Sequence, residues 1–155
     1  MIYPHFKVEW KNKEVLEQAP QIFSEEKTRA LTETGMLLER EIKERTPVGA
    51  FGLLRPSIAA EAFGDRVEIG TPLEYAEPVE YGSKPHWAPL APLEYWAEKK
   101  LGDASIGRKI WYSIAHKGTR PRLMFTRGLA MSASKVMRIL ESIGDRVAAR
   151  FNSPR

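Results

Sequence analysis

The chain contains no cysteine, which excludes disulfides and thiolate chemistry and leaves any zinc site to His and carboxylate ligands. Histidine is scarce too: His5, His86 and His116 lie in three separate segments, none with a second His four residues on. Surface or helix-capping roles suit them better than metal ligation. No apolar run approaches the roughly 20 residues needed to span a bilayer. Met1 to Lys7 also lacks the basic and apolar regions of a secretory leader, so synthesis in the cytoplasm as a soluble protein is expected. No Gly-x-Ser-x-Gly elbow and no Gly-x-x-x-x-Gly-Lys-Ser/Thr loop occurs, and Gly49-Ala50-Phe51-Gly52 reads as a turn. Neither a cofactor nor a catalytic role is expected from these motifs.

What is present fits one domain over residues 1–155. A chain of 155 residues can bury about 70% of its unfolded surface without staples. The net charge of +4 conceals a division: residues 1–80 carry 10 Lys/Arg and 15 Asp/Glu (−5), while residues 81–155 carry 14 and 5 (+9). Such halves could meet nucleic acid through the basic side, join neighbouring copies head to tail, or simply solvate exposed faces.

Phe6, Val8 and Trp10 alternate with charged residues as a half-buried strand or arm would, within residues 1–10. Asn12 is placed to cap a short helix that Pro20 kinks or restarts. Ser24, followed by Glu25 and Glu26, suits the start of a longer helix running to about Arg45, with Leu31, Leu38 and Ile42 on one face. Pro47-Val48-Gly49 ends it. Arg55 to Phe63 reads as a strand, and Gly64-Asp65 as a two-residue hairpin turn into a strand with Val67 and Ile69 inward. The prolines after Thr71 predict turns and extended chain, with a helical turn between Leu73 and Tyr81.

A helical excursion over about residues 85–118 follows. Pro92 suits the first turn of one helix, which Gly102 closes; Ser105 is expected to cap a second, which Gly118 ends. The closing helix carries Leu129, Ala133, Val136, Leu140, Ile143, Val147 and Phe151 as an apolar stripe, expected to pack on the protein's own sheet or first helix. Residues 152–155 should fray. The whole predicts an α+β fold: a small antiparallel sheet against an N-terminal helix and a long C-terminal helix.

Two clusters invite chemistry. Glu74, Glu77 and Glu80 stand at helical spacing, but Pro78 argues against a continuous helix and no partner base is evident. Lys117-Gly118-Thr119-Arg120-Pro121-Arg122, with Arg127 beyond and Trp111 and Tyr112 before, could track phosphates and stack bases or meet another protein.

Four short segments occur in a telling order: Thr46-Pro47-Val48-Gly49 leading to Leu54-Arg55, the hairpin, Tyr75-Ala76-Glu77-Pro78-Val79-Glu80-Tyr81-Gly82, and Arg120-Pro121-Arg122 before the last helix. In this order the chain resembles the tail-completion, or head–tail joining, proteins of long-tailed bacteriophages. The resemblance implies a structural virion protein: a ring in the neck, six copies by family analogy, that completes the tail and joins it to the head while DNA passes through. It implies neighbouring head-closure or connector proteins and tail-terminator or tail-tube proteins as partners, and no membrane. It assigns Tyr75, Glu77, Glu80, Tyr81, Gly82, Arg120, Arg122 and Arg127 to protein interfaces. A tail terminator capping the tube is the neighbouring alternative. From other classes, a basic nucleic-acid-binding protein and a hydrolase remain open.

Overall fold

The computed structural model describes residues 13–49 and 51–152. Its elements run α1 (Lys13–Arg45), α2 (Leu54–Ser57), β1 (Ala59–Phe63), β2 (Arg66–Gly70), α3 (Ala76–Tyr81), α4 (Leu90–Leu101), α5 (Ser105–Lys117) and α6 (Met124–Asn152). The expected α+β architecture is present, with one antiparallel two-stranded sheet. The strand expected over Phe6 to Trp10 and the Asn12 cap lie outside the described residues.

α1 passes through Pro20 without a break, so of the expected kink or restart the restart does not occur. Proline removes one helical hydrogen bond, and a helix of 33 residues retains enough of them on both sides to continue. Ser24 is therefore interior, and its carbonyl accepts a bond from the Thr28 hydroxyl at 2.9 Å. The buried face carries Ala30, Leu31, Leu38 and Ile42, as the spacing predicts.

α6 lies antiparallel along α1, on the expected stripe over its C-terminal part but on a different one at its start. Met124, Gly128 and Ser132 are buried, whereas Leu129 and Ala133 face solvent and Val136, Leu140, Ile143, Val147 and Phe151 are half-buried. The reason is the closeness of the helices: a Cβ on Gly128 would stand 2.6 Å from Ile42 Cγ1. Close approach selects the smallest side chains, which an apolar periodicity does not register.

Charge closes the rest of the seam. Glu41 meets Lys135 at 2.9 Å, Glu33 meets Arg146 at 2.7 Å, and Glu25 meets Arg150 at 2.6 Å. The Arg146–Glu33 contact is a two-pronged fork, the geometry that guanidinium and carboxylate match best. Part of the acidic-to-basic division along the sequence is thus satisfied within one chain. The Arg146 guanidinium holds the Glu33 carboxyl below its ordinary value, and Lys135 with Arg45 does the same for Glu41.

The hairpin sits on α1 through its inward face. Ala60 pairs with Ile69 and Ala62 with Val67 across the Gly64-Asp65 turn, and Gly35 lies under Ala60 and Val67. Glu39 Oε2 accepts the Ala60 N–H at 3.0 Å, tying the strand to the helix. Val67 and Ile69 are half-buried while Arg66 and Glu68 are exposed, as alternation predicts. The strand does not begin at Arg55, however. Arg55 belongs to α2 and donates from Nε and Nη2 to the Thr46 carbonyl at 3.2 and 2.7 Å, satisfying an acceptor just past the end of α1.

α4 and α5 form the expected helical excursion and pack chiefly on each other. Ala97 is fully buried, and a Cβ on Gly107 would stand 2.6 Å from Glu94 Cα. Gly102, in the left-handed region, closes α4 as predicted. The start of α5 is held by Asp103, whose Oδ1 accepts the Ser105 N–H at 2.8 Å; Ser105 itself does not cap. The pair projects as an arm. Among the described residues neither α4 nor α5 packs extensively on any other helix or strand.

Candidate functional site

The base of the arm is where two of the segments singled out in the sequence meet. α3 runs through Pro78, which sits in the first turn where proline is tolerated, so the expected interruption does not occur. Val79, Glu80 and Ser83 then bond to the stretch entering α6. The Arg122 N–H donates to the Val79 carbonyl and the Leu123 N–H to the Glu80 carbonyl, both at 3.0 Å. Ser83 and Thr119 form an antiparallel bridge with bonds of 3.0 and 3.2 Å.

Two glycines make that crossing possible. Gly82 and Gly118 both have positive φ, 78° and 70°. A Cβ at Gly82 would stand 2.5 Å from the Thr119 carbonyl oxygen, and one at Gly118 would overlap the Ser83 carbonyl. Below the crossing, Leu54, Ala76 and Met124 form a buried cluster with Leu73, Val79 and Phe125 against it. The Leu54-Arg55, Tyr75–Gly82 and Arg120–Leu129 segments are therefore one packed unit.

Glu80 is the centre of that unit and only 3% exposed. Its Oε2 accepts the Phe125 N–H at 2.9 Å; its Oε1 accepts the Thr126 N–H at 2.9 Å and the Thr126 hydroxyl at 2.7 Å. These are among the unpaired donors at the start of α6, and the positive end of the helix dipole favours a carboxylate there. Burial pushes the Glu80 carboxyl up, but the bonds from Thr126, Phe125 and Met124 outweigh it and leave it below its ordinary value. Glu80 and Gly82, both expected at an interface between proteins, are thus placed inside the fold.

The other expected interface residues face outward. Tyr75, Glu77, Tyr81, Arg120, Arg122 and Arg127 are exposed, Tyr81 by 67%. Tyr75 also borders an apolar hollow of about 280 Å³ between the Pro47–Leu54 turn and Pro92. There Phe51 stacks on Tyr95 with ring centres 5.5 Å apart.

The arm carries a feature that spacing alone did not reveal, an aromatic cluster spanning the loop before α4 and the face of α5. Trp87 lies 4.6 Å from Trp111, and Tyr112 lies 4.0 Å from His116. The Trp111 indole donates to the Ala88 carbonyl at 2.7 Å. Trp87 and Tyr112 remain 64% and 60% exposed. His86 and His116 each bond a main-chain carbonyl, of Lys84 and Tyr112, and do not converge. Among the described residues no group of three or more His, Asp or Glu could hold a metal ion, and no helix is long and apolar enough to cross a membrane.

The arrangement is a hydrogen-bonded crossing of α3 and the entry to α6, bordered by exposed Tyr75, Tyr81, Arg120 and Arg122, with the α4–α5 pair beside it. Residues 11–82 match the family model described as "Bacteriophage HK97-gp10, putative tail-component". Over those residues, a little under half of the chain, it is similar to bacteriophage tail components, which bears out the resemblance to the phage tail-completion proteins. No curated protein matches the chain, and no solved structure does.

Proposed function

We propose that this chain is a structural neck protein of a tailed bacteriophage or prophage. It completes the tail and joins it to the head as a ring, six copies by analogy with the family, through which DNA passes. Head-closure or connector proteins flank it on one side and tail-terminator or tail-tube proteins on the other. Its work is assembly, with no catalytic step. The observation that carries this reading is the tail-component match over residues 11–82. A second observation supports it: Tyr75, Tyr81, Arg120 and Arg122 are all exposed around the base of the arm, the residue types that suit a protein contact.

Mass measurement of the purified protein between low and high salt, with antibody labelling of virions in the electron microscope, tests the proposal. A closed oligomer and label at the head–tail junction are expected. Label at the far end of the tail, or a monomer at every concentration that is also missing from virions, rejects it. Label on the tail tube without the head favours the terminator role.

A further inference from the structure

We infer that the α4–α5 arm of one copy docks on the outer face of the β1–β2 hairpin of a second copy, a contact that rests on the ring reading above. The arm segment, residues 83–122, carries eight Lys/Arg against three Asp/Glu, a net +5. Of these cations Arg108 pairs with Glu94 at 2.8 Å and Lys99 lies over the Tyr95 ring. Lys100 and Lys117 are exposed and form no ion pair among the described residues, and Lys109, also exposed, acts on the Asp103 carboxylate without a close ion pair. Leu101 and Tyr112 are exposed beside them.

The hairpin and the stretch after it are the complement. Residues 59–77 carry five Asp/Glu against one Arg, a net −4. The inward face of the hairpin is taken by α1. Among the described residues its outward face is uncovered: Ala59, Glu61, Phe63 and Glu68 border an open hollow, Phe63 is exposed, and Glu68 pairs with the exposed Arg66 of its own strand at 2.9 Å. A two-stranded sheet is marginal by itself, so cover on the second face stabilises it.

Opposite charge with exposed apolar residues on both sides is the pattern of a protein contact. The two patches are different surfaces of the same chain, so the contact is head to tail and repeats from copy to copy until it closes. A second copy is therefore the occupant that supplies both the charge and the apolar area. DNA would match the cations of the arm but would leave the hairpin face uncovered.

Complementary charge reversal tests it. One variant carries Lys99→Glu, Lys100→Glu and Lys109→Glu; the other carries Glu61→Lys, Asp65→Lys and Glu68→Lys. All six residues are exposed, and unchanged denaturation midpoints would verify that both variants fold. At about 50 mM salt, where screening is weak, each variant alone is expected to assemble about tenfold or more weakly than the parent. An equimolar mixture should recover assembly, because every contact in an alternating ring then joins opposite charges. Parent-like assembly by the arm variant, or no recovery in the mixture, overturns this contact while leaving the ring itself standing. Loss of duplex-DNA binding by the arm variant with assembly intact assigns the arm to nucleic acid instead. A parent protein that never assembles overturns both the contact and the ring.

Discussion

Glu80 and Thr126 are joined twice through one oxygen: Glu80 Oε1 accepts both the main-chain N–H and the side-chain hydroxyl of Thr126, at 2.9 and 2.7 Å. With the Phe125 N–H on Oε2, this single buried carboxylate fixes where α6 begins relative to α3. These donors are part-buried, so losing their partner costs about 1 kcal/mol, the low end for unsatisfied groups. Glu80→Ala should therefore lower stability by about that amount in urea unfolding. An unchanged midpoint with lost assembly would return Glu80 to the interface role.

The same carboxylate predicts the acid limb of stability. Its folded pKa lies below the ordinary value of 4.5, so its contribution is fully present above that value and is lost as pH falls through the lower, folded one. Glu33, Glu39 and Glu41 are lowered as well and add to the same window. Midpoints measured from pH 7 downward should fall below about pH 4.5, and more steeply in the parent than in Glu80→Gln. Parallel curves would show that Glu80 is not among the groups responsible.

Gly118→Ala should disturb the base of the arm. The substitution combines a left-handed backbone, worth about 1–3 kcal/mol of strain, with overlap on the Ser83 carbonyl. Amide exchange is expected to quicken at Ser83 and Thr119, whose bridge closes the arm, and to remain slow in the middle of α1. Unaltered exchange at the bridge would disprove the close crossing.

At the seam between α1 and α6, Gly128→Leu should be tolerated poorly. Overpacking of a well-filled contact costs about 1–3 kcal/mol, and Ile42 is already against the glycine. Leu129→Ala, one residue along and exposed, should change the unfolding midpoint little. The reverse ranking would mean that α6 turns its Leu129 stripe to α1, as apolar spacing by itself predicts.

Arg120→Glu with Arg122→Glu should leave stability within about 0.5 kcal/mol, as exposed substitutions do, because neither side chain has a partner among the described residues. Assembly should suffer. Unfolding of the double variant would make these arginines structural.

Much of the fold follows from local pattern. The Gly64-Asp65 hairpin, the glycine stops at Gly102 and Gly118, the buried face of α1 and the α+β class all rest on short-range preferences that the chain displays directly. Tyr75, Tyr81, Arg120 and Arg122 are exposed, which leaves them open to the contacts proposed for them. What spacing misjudged depends on neighbours far along the chain. Pro20 leaves α1 unbroken because two turns before it and the long stretch after it absorb one missing bond. Arg55 turns into α2 because the Thr46 carbonyl needs a donor. Gly128 and Ser132 displace Leu129 from the seam because two helices approach too closely for larger side chains.

The charge division and Glu80 mark the limit most clearly. The sequence alone determined that one half is acidic and the other basic, since that is a matter of counting. Only the tertiary structure decided that Glu25, Glu33 and Glu41 meet Arg150, Arg146 and Lys135 within the chain, while the arm and the hairpin pair only Arg108 with Glu94 and Arg66 with Glu68 among the described residues. It also decided that Glu80 lies inside and Glu77 outside, although they are one helical turn apart. Coulomb attraction and hydrogen bonding act over a few ångströms, and the antiparallel register of α1 and α6 sets which charges come that close.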